Sequence, residues 1–449
     1  MKHYFRWIGG VSVLLLGLTG GQIAQAEEST TTTEAAPAAE KPKPWSPVEA
    51  VGLAGPLGAW GLEIHGFVGA NYTFNFNEPT SGKNGLLLMN RKHDELHLDL
   101  ANIRIQRVVD GGIGFVTDFN FGKTAEVVGR ATRWCKTPPS VSGNGACHES
   151  RNSFEANQFY LTYKFPIGNG LGMKLGKFVT LHGAEVIKTW DNMNYNISNS
   201  VLFGYAIPFT HTGVLFNYPL TDWASLDAGL VTGWDQFSYK ANDGIVFTGG
   251  MTVTPHPTLT FYGATTVGPE QDDRGDSKRA LFTLLATYKP TDQWTFILDY
   301  NHADETDILP PIKSSGRGTK DARWDGLAGY AIYQINDMFT ASLRTEFFDD
   351  VDGVRTGTKQ TVWEITPTIA FRPWWLFPGL TVRLEYRHDE SSKRTFAGKT
   401  FPVSGGSCSR SHVDADCFPD YQSNISGGST VTRYFPGQDT FVWEASYAF

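Results

Sequence analysis

An all-β fold is what this sequence predicts: a transmembrane antiparallel up-and-down β-barrel of about 16 strands, with short periplasmic turns and long external loops. Three observations carry that prediction. Apolar and polar residues alternate with a period of two, short and long connections alternate strictly, and an export signal precedes a chain with no later apolar run of membrane-helix length. Composition agrees with it. Of 449 residues, 41% are hydrophobic, 19% charged and 13% aromatic, with 48 Gly and 23 Pro. The apolar content is too high for a disordered chain, and the Gly and aromatic usage is too heavy for a helical bundle. A formal net charge of -8 gives no basic footprint, so nucleic acid is not an expected partner.

The first 26 residues read as a signal peptide. Lys2 and Arg6 give a positive start, Ile8 to Leu18 form a short apolar run, and Ala24-Gln25-Ala26 presents small residues for cleavage before Glu27. The run is shorter than the roughly 20 residues a spanning helix needs. Residues 27–60, rich in Thr, Ala, Pro and Glu at the start, are expected to be a disordered periplasmic tether. The barrel is expected over 61–449.

From Gly61 onward the alternation is explicit. Leu62, Ile64, Val68, Ala70, Tyr72, Phe74 and Phe76 share one face, and Glu63, His65, Asn71, Thr73 and Asn75 the other. Such a strand has one side for lipid and one for the lumen. The pattern returns in Phe115, Phe119 and Phe121 against Asp118 and Asn120, in Leu226 and Leu230 against Asp227, in Phe296, Leu298 and Tyr300 against Asp299, and in Leu384 and Tyr386 against Arg383, Glu385 and Arg387. Between Leu96 and Ile105 the phase changes near Ala101, which is the signature of a bulge.

Short turns fall at 109–112, 166–170, 219–222, 255–257, 290–293, 335–337 and 373–379. Long stretches fall at 77–92, 123–153, 178–211, 235–245, 269–279, 302–323, 349–361 and 388–437. Seven turns and eight loops join sixteen strands and leave both termini on the short-turn side. Tyr160, Tyr163, Trp223, Trp234, Tyr288, Trp294, Trp324, Trp363, Trp374 and Trp375 cluster near strand ends, as aromatic girdles against outer-membrane lipid require. The chain ends Phe441-Val442-Trp443-Glu444-Ala445-Ser446-Tyr447-Ala448-Phe449. That ending resembles the signal read by the barrel assembly machinery, which makes the machinery an expected partner.

Cys135 and Cys147 share the second long loop and Cys408 and Cys417 the eighth. Two local disulfides fit an oxidising compartment. Cys147-His148-Glu149 invites a metal reading, but no closely spaced set of four ligands accompanies it. No metal and no cofactor is expected.

Residues 171–217 carry a resemblance. Gly176-Lys177-Phe178, Gly183 followed by Glu185, Asn194-Tyr195, the run from Ser200 to Tyr205, and Pro208-Phe209-Thr210-His211-Thr212-Gly213 resemble the characteristic stretch of the OmpL-like beta-barrel porin family of bacterial outer membranes. Thr180-Leu181-His182-Gly183 departs from it by lacking a Pro near Leu181. The resemblance implies a porin, passing small hydrophilic solutes and ions through a water-filled pore, with a homotrimer as the expected assembly by analogy with sixteen-stranded porins.

The motif is the third long loop, 178–211, which in general porins folds into the lumen. Glu185, Lys188, Asp191, Asn192, Asn194, Tyr195, Asn196 and His211 are therefore candidates to line a constriction, with docking of the loop to the wall as the competing role. By alternation the inward wall set is Glu63, His65, Asp99, Arg104, Asp118, Lys164, Lys174, Asp227, Asp299, Arg344, Glu346, Glu364, Arg372, Arg383, Glu385, Arg387 and Glu444. Rings of such charges set selectivity, and the same residues can instead be paired across the lumen.

No enzyme is expected. Gly122-Lys123-Thr124 mimics the end of a phosphate-binding loop, but position 117 is Thr where that loop needs Gly. Neither a His-Glu-x-x-His nor a Gly-x-Ser-x-Gly motif is present. Arg274-Gly275-Asp276-Ser277, in an expected external loop, raises an adhesin as the alternative, alongside a barrel scaffold such as the sheath of an electron conduit with a plugged lumen.

Overall fold

A computed structural model describes residues 42–109, 112–131, 153–237, 242–271, 274–309, 320–402 and 430–449. The signal peptide and all four cysteines, with the disulfides expected of them, lie outside the described residues. Sixteen strands close the barrel. They are β1 (Glu63–Asn75), β2 (Glu95–Arg107), β3 (Ile113–Phe121), β4 (Phe154–Phe165), β5 (Leu171–Val179), β6 (Thr210–Thr221), β7 (Ala224–Val231) and β8 (Val246–His256), then β9 (Leu259–Gln271), β10 (Arg274–Tyr288), β11 (Trp294–Leu309), β12 (Lys320–Gln334), β13 (Phe339–Asp350), β14 (Gln360–Phe371), β15 (Leu380–Ser391) and, after a two-stranded hairpin, β18 (Gly437–Ala448). The hairpin is β16 (Phe396–Pro402) and β17 (Thr430–Phe435), a separate sheet within the eighth long loop. Each barrel strand pairs antiparallel with its neighbours, and β1 closes on β18 with Phe67 opposite Ala448 and Asn75 opposite Thr440. Among the described residues no helix is long and apolar enough to cross a membrane.

Alternation gives the wall its two faces. On β13 Leu343 and Phe347 point out and are exposed, while Arg344, Glu346 and Phe348 point in and are buried. On β18 Phe441 and Trp443 point out, and Val442 and Glu444 point in. The phase change near Ala101 is a bulge: the pairing of β1 with β2 slips between Gly69 and Ala70, whose partners are Leu100 and Leu98. The extra residue is Asp99, so Asp99 and Leu100 are both buried side by side.

Several expectations change. The strands continue through much of the expected loops 269–279 and 302–323, because β9 to β12 extend to Gln271, Arg274, Leu309 and Lys320. Arg274-Gly275-Asp276-Ser277 thus forms the first residues of β10. The second long loop begins with a helix, α3 (Lys123–Ala131). Trp234 and Trp324 are not girdle residues; both are buried inside the barrel with ring centroids 6.2 Å apart. Trp223, Tyr288, Trp294 and Trp363 do sit exposed on the outer face. The expected disorder of 27–60 fails at its distal end, where Pro47–Ala50 (α1) and Ala54–Ala59 (α2) are helical and Tyr447 Oη donates to the Trp45 carbonyl at 2.9 Å. Hydrogen bonds from Tyr447 and Arg107 to the Trp45 and Trp60 carbonyls tie this end to the barrel rim.

The core lies inside the barrel. Val201, Leu202, Phe203, Ile207 and Phe209 of the third long loop pack with Ile297, Trp324, Tyr330 and Phe348 of the wall. A second apolar cluster joins Phe178 and Leu181 to Leu215, Val231, Val246, Tyr262, Ala264 and Leu285. Gly176 shows how tightly the wall is built beside this loop. Its φ is +139°, and a Cβ there would stand 2.2 Å from the Phe159 carbonyl oxygen. We predict that Gly176→Ala destabilises the barrel by about 2 kcal/mol or more through backbone strain, while Gly275→Ala, which meets open space, leaves it unchanged. Loss of the fast-migrating folded band with temperature in SDS electrophoresis measures both.

Candidate functional site

The third loop leaves β5 at Val179 and returns at the start of β6, crossing the lumen in between. Irregular backbone at this depth must find partners for its N–H and C=O groups. The barrel wall supplies them. The Ala184 amide donates to Asp299 at 2.8 Å, the Ile197 and Ser198 amides to Glu385 at 2.6 and 2.9 Å, and the Val201 and Leu202 amides to Glu346 at 2.5 and 3.0 Å. Wall arginines take the carbonyls. Arg344 donates to the Ser198 carbonyl at 2.6 Å, Arg383 to that of Asn194 at 2.9 Å, and Arg387 to that of Asn199 at 2.7 Å. Further along, Trp324 Nε1 donates to the Ala206 carbonyl at 3.0 Å and Arg355 to that of Tyr205 at 2.5 Å.

Loop side chains complete the docking. Glu185 accepts from Arg344 at 2.7 Å, from Tyr330 Oη at 3.2 Å, and from Asn199 and the Ser200 amide at 2.9 Å each. Lys188 bridges Asp99 at 2.9 Å and Glu444 at 2.7 Å; Glu444 is also held by Arg383. The bulge on β2 is what turns Asp99 toward that lysine. Asp191 reaches Arg104 at 3.2 Å, and Trp190 stacks on His65 at 3.8 Å between centroids. Asn194 sits in the left-handed region at φ 56° and clamps Val186 with both ends of its amide, at 3.0 and 2.8 Å. Asn192 returns a carbonyl to the Thr189 amide at 2.8 Å, Tyr195 accepts from Ser342 at 3.1 Å, and Asn196 donates to Thr366 and Thr368 at 3.0 and 2.8 Å. His211 braces the exit, with Nδ1 on the Gly233 carbonyl at 3.0 Å and Nε2 against Thr180 at 3.1 Å.

All eight loop candidates are thus brought together, but most face protein rather than open water. The same holds for the wall. Asp118, Asp227, Asp299, Arg344, Glu346, Glu364, Arg383, Glu385, Arg387 and Glu444 are inward and buried; most meet one another or loop backbone, while Asp227 accepts from Asn217 at 2.9 Å. Asp118 is held by Arg104 at 2.8 Å and by Gln158, and Arg344 by Glu364 at 2.8 Å. Arg372 is only half-buried and Glu63 is exposed, both near the short-turn end of the barrel. Partial exposure persists on the opposite arc at Tyr160, Lys164, Lys174 and Asn217, and in the loop tip at Asp191, Asn194 and Tyr195.

Sequence reasoning missed several anchors. His182 is wholly buried, with Nδ1 2.7 Å from Thr283 and Nε2 2.8 Å from Thr266. It, Trp190, Ser198 and Trp324 carry no signal except their place in or opposite the motif. Asp235, in the connection after β7, was also missed: it accepts from the Phe209 and Thr210 amides at 2.8 Å each, and burial pushes its carboxyl up to about 6.

A family model described as "Putative beta-barrel porin-2, OmpL-like" matches residues 61–412. No curated protein sequence matches the chain. The anion-selective porin from Comamonas acidovorans is similar in fold, with 10% identity, TM-score 0.50, and a match covering 86% of this chain and 99% of that one. OprB of Pseudomonas putida in its high-pH structure gives 9% identity, TM-score 0.49, and coverage of 92% and 100%. The outer membrane channel DcaP of Acinetobacter baumannii gives 12%, 0.48, and coverage of 86% and 97%.

Two predictions follow from the docking. Glu385→Ala leaves two buried amides without an acceptor, a loss of about 1–3 kcal/mol; amide exchange across 196–202 should accelerate at least fivefold, with Glu385→Gln intermediate. Since the Asp235 carboxyl is raised above its ordinary 3.8, its contribution to docking is fully present below about pH 3.8 and lost as pH rises through about 6. Protection of the Phe209 and Thr210 amides, corrected for intrinsic exchange, should fall roughly tenfold from pH 5 to pH 7, and Asp235→Asn should hold it at the low-pH level.

Proposed function

This chain belongs to the OmpL-like beta-barrel porin family, and on that premise we propose that small hydrophilic solutes and ions cross its barrel along the side that the third loop leaves free. It is an outer-membrane porin, an integral barrel of that membrane, and its family is one of channels rather than enzymes. The polar contacts of the loop run mainly to β9 to β15, β18, β1 and β2, and its Leu181 packs on β6 to β8, so the part-exposed inward positions of β4, β5 and the foot of β6 are the side left for passage.

One observation supports this path. Lys164, Lys174, Tyr160 and Asn217 keep partial exposure facing inward, opposite a loop tip where Asp191, Asn194 and Tyr195 do the same. In this reading the buried charges hold the constriction in shape, and the half-exposed ones meet the solute. The homotrimer belongs to the same reading. A plugged scaffold is the competing one, and it draws on the burial of inward side chains over the rest of the lumen.

Deletion of residues 186–200, which removes Lys188, Asp191, Asn194 and Tyr195 together, should raise single-channel conductance severalfold in a planar bilayer. Unchanged conductance would sink the constriction, and a folded wild-type barrel that never conducts would select the scaffold.

A further inference from the structure

Residues 44–62 read PWSPVEAVGLAGPLGAWGL, with Glu49 as the only charge. In water such a segment would hide its apolar side chains. Here it displays them: Trp45 is 63% exposed, Val51 67%, Leu53 49% and Trp60 73%. The segment is nonetheless held to the barrel. Tyr447 Oη, on the outward face of β18, donates to the Trp45 carbonyl at 2.9 Å, and Arg107 at the end of β2 donates to the Trp60 carbonyl at 3.3 Å. Pro44 lies beside Gly379 in the β14–β15 turn, close enough that a Cβ on that glycine would meet it at 3.0 Å. The segment therefore runs along the periplasmic rim from the foot of β15, past β18 and β1, to β2.

We propose that residues 44–60 form an interfacial belt seated in the phospholipid of the periplasmic leaflet. The lipid-facing surface of the barrel leads directly into it. Trp375, Leu376 and Phe377 are exposed in the turn where the segment begins, and Tyr447 belongs to the outer face that contacts acyl chains. Tryptophans at both ends suit the headgroup level, where an amphipathic ring has one side apolar and one wet. Lys43, exposed just before Trp45, adds a cation for lipid phosphate. Length argues the same way. The helices α1 and α2 are too short to be stable alone in water and need a surface to lie on, yet Trp45, Val51, Leu53 and Trp60 around them stay exposed. This surface is independent of the solute path and serves a different end: it fixes the depth of the barrel and the point at which residues upstream leave the membrane.

The full chain, refolded in phospholipid nanodiscs with 5-fluorotryptophan, provides the test. Trp45→Phe and Trp60→Phe assign the two 19F resonances, and migration in SDS electrophoresis verifies that both variants are folded. Phospholipid carrying a nitroxide near the headgroup should broaden both resonances severalfold more than a water-soluble gadolinium chelate does. Val51→Asp combined with Leu53→Asp should reverse that preference. Broadening by the chelate alone would place the segment in water and overturn the proposal. Broadening by neither agent would mean that a second copy of the chain or the barrel itself covers it, which overturns the proposal equally.

Discussion

Burial of irregular backbone inside a membrane barrel is the constraint around which this molecule is arranged. The third loop carries about thirty residues with no ladder of its own to satisfy them. Each amide left bare would cost about 1–3 kcal/mol, so a handful would exceed the stability of an ordinary domain. Glu346, Glu385 and Asp299 answer by accepting from the loop, and Arg344, Arg383 and Arg387 by donating to it. These charges would in turn be expensive to bury alone. They are placed so that each is met by an opposite charge or by backbone dipoles: Arg344 lies between Glu185 and Glu364, and Lys188 between Asp99 and Glu444.

Most of the barrel was legible from the sequence because a period of two marks strands with one apolar face and the alternation of short and long connections marks a barrel. Leu384 and Tyr386 against Arg383, Glu385 and Arg387 reads directly as a wall with lipid on one side. The bulge near Ala101 could be seen for the same reason, since an extra residue breaks the phase. What alternation cannot reveal is the nature of the medium on the inner side. Water and a docked loop both favour charged wall residues, and the pattern of Arg344 or Glu346 is the same in either case. The residues that tell them apart are apolar and inward, such as Leu215, Val231 and Val246, and in sequence they look like faint irregularities in a strand.

The family motif becomes intelligible in these terms. Gly176 is needed where β5 approaches Phe159, and Gly183 where a side chain would strike Ile207 at 2.5 Å. Asn194 adopts a conformation that its short amide tolerates while it clamps Val186. These positions record how the loop is folded and held. The aromatics misled for a related reason: Trp234 and Trp324 have the composition of a girdle but serve the interior, stacked under Arg279 and Arg355. Likewise the low charge of residues 44–62, grouped with the polar stretch upstream, concealed two helical turns.

The partners of the loop lie far downstream in the chain. Glu185 pairs with Arg344, Ile197 with Glu385, and Lys188 with Glu444 in the last strand. A chain assembled from its beginning meets Asp99 and Arg104 first, and exports its loop long before the wall residues that hold most of its backbone exist. Contacts so distant in sequence form late. Much of the loop must remain solvated until the last strands arrive, and the seam between β1 and β18 closes around a guest that only the complete ring holds in full. The order of synthesis and the order of assembly run in opposite directions at this one place in the molecule.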